Sequence, residues 1–92
     1  MPGYVIEAYA TPLQAEDVEL ALSQLAEGTS VRHVRTTYMP QDESCFHFVE
    51  APSLRAVRDV LDRAGISYDR IVEGIELQRA RSNRDMRRRN ER

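Results

Sequence analysis

The chain has 92 residues and 41% hydrophobic content, enough for one small globular domain with a thin core. Its single cysteine excludes an internal disulfide, and no run approaches the roughly 20 apolar residues of a membrane helix. The net charge of −2 conceals an asymmetry: residues 78–92 hold seven arginines and two acids, a net +5, whereas residues 1–77 hold six arginines and 13 acids, a net −7.

The opening "MPGYVIEAYA" lacks the basic start and long apolar run of a secretion signal, so a cytoplasmic location is expected. Within it, Tyr4 to Ala10 alternates Tyr4, Ile6 and Ala8 with Val5, Glu7 and Tyr9, the period of a first strand. "TPLQ" follows as a helix start, with Thr11 as cap, Pro12 at the first helical position and Gln14 completing a capping box. Val18, Ala21, Leu22 and Leu25 make one apolar helix face, and Gly28 suits the left-handed position beyond its end.

"VRHVRTTYMP" is rich in β-branched residues and predicts a second strand, with "PQDE" as the turn. A third strand, "SCFHFVE", stops before Pro52. Ser53 then caps a second helix whose stripe is Leu54, Val57, Val60, Leu61 and Ala64, closed by Gly65. "YDRIVEGIEL" predicts the fourth strand, with Gly74 as a possible bulge.

The order β-α-β-β-α-β is the α+β, ferredoxin-like arrangement, with one antiparallel sheet carrying both helices on one face. Fold analogy gives strand order 4-1-3-2. The expected division is a ferredoxin-like domain over residues 1–77 and a basic, flexible tail over 78–92, whose charge leaves little apolar surface to bury.

Which way the third strand faces decides the candidate site. Phe46 and Phe48 directed outward would resemble a base-stacking platform, but the −7 charge of residues 1–77 opposes phosphate binding, and nucleic acid is disfavoured. The opposite facing puts both phenylalanines and Val34 in the core. The open sheet face then carries Cys45, His47 and Val49 beside His33, Arg35 and Thr37, with Val5, Glu7 and Tyr9 on the adjoining strand. A hairpin loop over residues 39–43 sets Arg35 opposite His47, with His33 its diagonal neighbour. His47, His33 and Glu7 are then candidate ligands for a transition metal such as nickel or zinc. Arg35, Cys45 and Tyr9 are candidate ligand-binding residues.

With "VEAPS" ending strand three, "AVRDVLDRAGI" in the second helix and "YDRIVE" opening strand four, the chain resembles the nickel-binding-protein-like family of small bacterial ferredoxin-like proteins. That resemblance implies a homodimer that binds a metal. Glu7 matches the family pattern. His33, Arg35 and His47 stand where the family typically has an aromatic residue, a histidine and a cysteine, and a guanidinium cannot ligate.

The leading expectation is therefore a homodimeric metal- or small-ligand-binding protein that uses the open sheet face. One alternative is a dimeric α+β-barrel enzyme acting on a small anionic molecule, with His47 as acid or base and Arg35 as anion clamp. Another is an interaction or regulatory domain that works through the basic tail.

Overall fold

Six elements follow in the predicted order: β1 (Gly3–Tyr9), α1 (Pro12–Ala26), β2 (Arg32–Met39), β3 (Ser44–Glu50), α2 (Leu54–Ala64) and β4 (Arg70–Gly74). They belong to a computed structural model that describes residues 1–75. The expected tail, residues 78–92, lies outside the described residues, as does the expected end of the fourth strand at Leu77. The strands form one antiparallel sheet in the order β2-β3-β1-β4, the expected order read from the other edge. The architecture is α+β and ferredoxin-like.

The helix ends form where the sequence chemistry puts them. The Thr11 hydroxyl accepts from the Gln14 amide N–H, and the Gln14 carbonyl oxygen accepts from the Thr11 N–H, a reciprocal capping box with Pro12 behind it. Ser53 caps α2, and Gly65 ends it at φ 68°, where a Cβ would be strained. Leu22 of α1 and Val57, Val60 and Leu61 of α2 are buried with Tyr4, Ile6 and Val49 of the sheet. Each such side chain, fully buried, contributes about 1.5–3 kcal/mol.

The facing of β3 is the reverse of the expectation. Cys45, His47 and Val49 are buried beneath the helices, while Phe46 and Phe48 lie half-buried on the open face. The pairing explains it. Residues directly opposite in an antiparallel ladder share a face, and Ile6, Tyr4 and Ala8 pair with His47, Val49 and Cys45. Burying Ile6 therefore carries His47 inward.

Two local features account for β2. Met39 remains in the strand, so the hairpin loop is Pro40–Glu43, one residue shorter than expected, with Glu43 in the left-handed region at φ 50°. Thr36, not Arg35, therefore pairs with His47, and Tyr38 pairs with Cys45. A shift of one residue moves every side chain to the other face. The register then breaks between His33 and Arg35, leaving Val34 exposed where a core position was expected. This bulge restores His33 to the helix-facing side, three residues from Thr36 rather than two.

Candidate functional site

A cavity of about 370 Å³ opens between α1, the end of α2 and the inner face of the sheet. Ala8, Ala15, Ala21 and Ala64 contribute to its lining, and small side chains at these positions leave the space unfilled. Cys45 and His47 form its polar wall, and Tyr9 and Asp17 also line it. The cysteine is a free thiol, and both it and His47 are 1% exposed.

Behind His47 runs an unbroken series of polar contacts. His47 Nε2 lies 3.5 Å from Cys45 Sγ, and His47 Nδ1 lies 2.9 Å from Thr36 Oγ1. Thr36 Oγ1 is 2.9 Å from His33 Nε2, and His33 Nδ1 is 2.9 Å from Ser23 Oγ. The Ser23 hydroxyl donates to Glu19 Oε2 at 3.3 Å. Both nitrogens of the buried His47 ring are thus partnered, and among the described residues no buried side-chain polar atom lacks a partner. That satisfaction is what makes an inward histidine tolerable in place of a phenylalanine.

Burial lowers the pKa of His47 to about 4, with His33 acting in the same direction and Glu19 opposing. The ring is neutral at pH 7. Burial also pushes the Cys45 thiol up. The arrangement is a neutral imidazole in contact with a protonated thiol on one wall of the cavity.

The structure joins some of the predicted site residues and separates others. Cys45 and His47 are together, His33 is linked to them through Thr36, and Tyr9 reaches the same cavity although it is 76% exposed. Glu7 does not join them. It pairs in register with Phe46, on the open face, and its Oε1 accepts from Arg70 Nε at 3.0 Å. Arg35 also lies on the open face, with its guanidinium 4.0 Å from the centroid of the Phe48 ring. A clamp of Arg35 and His47 on one anion is therefore corrected: the sheet separates them. Cys45 and His47 face the helices and not the open surface.

Sequence reasoning missed Thr36, Ser23 and Glu19. Glu19 and Ser23 are four apart on α1 and so share a helix face, a signal that was available. Thr36 had none, because its facing depends on the loop length.

The Cys45–His47 pair fits part of a metal centre. Thiolate and imidazole bonds of about 2.3 and 2.0–2.1 Å around a tetrahedral ion place sulfur and nitrogen roughly 3.5 Å apart, and the observed separation is 3.5 Å. Among the described residues, no group of three or more His, Cys, Asp or Glu side chains is placed to hold an ion. The described residues offer two donors and no complete cage.

Comparison with known proteins bears on the fold and the family. The crystal structure of SCO4226 from Streptomyces coelicolor A3(2) is similar with a TM-score of 0.66 at 21% sequence identity, over 83% of this chain and 98% of that one. At that identity the likeness shows the shared fold. No curated protein matches the sequence. The family model described as nickel responsive protein, SCO4226-like, matches residues 4–73, which covers all the strands and both helices apart from the outermost residues of the sheet, and the chain belongs to that SCO4226-like family.

Proposed function

We propose that this protein binds a soft divalent metal ion of the nickel or zinc kind, with Cys45 and His47 as its first two donors. The observation that carries the reading is the 3.5 Å separation of a thiol and a neutral imidazole on a cavity wall. The family's description as nickel responsive supports it. A thiolate and an imidazole suit nickel, zinc or copper better than magnesium or calcium. When bound, the ion would hold the sulfur as thiolate. The remaining coordination positions need donors beyond these two, and the cavity has room for water or a small ligand beside them.

Titration calorimetry with nickel and zinc, on untagged full-length protein at neutral pH, tests this. The expected result is micromolar or tighter binding that is lost in both Cys45→Ala and His47→Gln. Affinity no better than millimolar for either metal would sink the reading. The alanine-lined wall favours a second reading in that case, a small and largely apolar organic ligand held by Cys45 and His47.

The open sheet face supports a homodimer. Val5, Phe46 and Phe48 lie half-buried there, Val72 is 37% exposed, and the Glu7–Arg70 pair is satisfied within the face. A second copy can cover such a surface without leaving Glu7 or Arg70 unpaired. Single-stranded nucleic acid would find the two rings, but also the net −7 of residues 1–77. Among the described residues, no helix is long and apolar enough to cross a membrane.

A further inference from the structure

The polar series from Glu19 to Cys45 has a direction, and the direction follows from counting hydrogens. A serine or threonine hydroxyl has one hydrogen to donate, and an ionised carboxylate can only accept. Ser23 spends its hydrogen on Glu19 Oε2. The contact at 2.9 Å between Ser23 Oγ and His33 Nδ1 must then be donated by the ring, which puts the His33 proton on Nδ1. A neutral His33 consequently has a lone pair on Nε2, and the Thr36 hydroxyl donates to it. Thr36 has no second hydrogen, so its oxygen accepts from His47 Nδ1–H. The lone pair of neutral His47 is left on Nε2, directed at Cys45 Sγ beside the cavity.

We infer that Glu19, Ser23, His33 and Thr36 are positioning residues that together lock His47 in the Nδ1–H tautomer, so that its Nε2 lone pair is presented to the cavity. The opposite direction would require Ser23 to donate to His33. Its oxygen would then meet the Glu19 carboxylate lone pair to lone pair at 3.3 Å. A metal-ligating histidine commonly has its second nitrogen fixed by a hydrogen bond in this way. Here the fixing group is a relay four residues long that begins on α1. The bulge between His33 and Arg35 is necessary to it, since strict alternation from Thr36 would place His33 on the far side of the sheet.

The inference deepens the metal reading and rests on it for the use of the lone pair, whereas the tautomer can be measured with no metal present. The decisive measurement is long-range nitrogen–proton NMR on metal-free, full-length protein labelled with ¹⁵N-histidine, at pH 8. The expected spectrum shows both His33 and His47 protonated at Nδ1 and bare at Nε2. In Thr36→Val, which keeps the side-chain shape but removes the hydroxyl, the His47 proton should spread over both nitrogens, and Thr36→Ser should restore the lock. Nickel affinity should fall about 10- to 100-fold in Thr36→Val and recover in Thr36→Ser. A proton on His47 Nε2 in the unaltered protein overturns the inference, and this result needs no variant to fold. So does a His47 tautomer unmoved in a folded Thr36→Val protein. If the tautomer is as inferred and neither nickel nor zinc binds, the metal reading falls and the lock stands. If metal binds and the tautomer is the reverse, the lock falls alone.

Discussion

The two faces of the sheet use their side chains in opposite ways. The helix-covered face carries a histidine and a cysteine beside Tyr4, Ile6 and Val49, and every polar atom of the His47 ring is answered. The open face carries two phenylalanines, with Arg35 laid over one of them. Burial on one side and partial exposure on the other are thus the inverse of the simple rule that aromatic rings go in and histidines go out. What matters for an inward polar group is whether its partners are built with it. What matters for an outward ring is what covers it.

The sharpest way to break this comparison is to cut adjacent residues of β1. Ile6 is 0% exposed, and Ile6→Ala should cost about 3–4 kcal/mol in urea denaturation. Val5, its neighbour on the other face, should cost about 1 kcal/mol when changed to Ala, since it is only half-buried. Equal costs would mean that the facing is wrong.

On the helix-covered face, acid should act through His47. The folded-state pKa of His47 is depressed to about 4, below the ordinary value of about 6.5. The unfolded chain therefore binds this proton first as pH falls. Stability is fully present above about pH 6.5 and is lost progressively towards pH 4, by about 3 kcal/mol for this group. His33 adds to the lowering by burial, and Glu19 opposes it. Chemical denaturation of His47→Gln across the same interval should show a shallower decline, and an identical decline would assign the acid sensitivity elsewhere.

The open face should answer to assembly. Phe46→Ala with Phe48→Ala should convert a dimer to a monomer in light scattering while circular dichroism is preserved, at a cost of about 1–2 kcal/mol to the chain itself. A monomer in the unaltered protein at micromolar concentration would remove the basis for this expectation.

The smallest effect concerns the loop that sets the faces. Glu43 has a left-handed backbone at φ 50°, and Glu43→Gly should raise stability by about 0.5–1 kcal/mol by relieving it. Thermal melting measures this directly, and a lower melting temperature would show that the Glu43 side chain matters more than its backbone.

The sequence disclosed the elements and their order because caps and apolar periodicity are local signals. Thr11, Gln14, Ser53 and Gly65 each act within a few residues of themselves. The facing of β3 was not local. "SCFHFVE" alternates equally well either way, and the choice is made by its pairing with Tyr4, Ile6 and Ala8, 37 to 45 residues earlier. Two phenylalanines bring more volume to bury, but a histidine with two partners is as well placed inside. In β2, one residue of loop length and one bulge undo strict alternation, which puts Thr36 and not Arg35 beside His47. Cys45, His47 and His33 were legible as candidates from residue type. The company they keep was not.

The bulge at Val34 has a consequence for how molecules of this protein meet. β2 is an outer strand of the sheet, and a straight outer strand offers a regular row of free N–H and C=O groups that other chains can zip onto. The irregularity between His33 and Arg35 interrupts that row midway. Deleting Val34 would leave His33 on the same side as Thr36, two residues away by plain alternation. It would also straighten the strand into a template, and the expected sign is turbidity on concentration, with growth of sheet signal in the infrared, from a protein that otherwise remains clear.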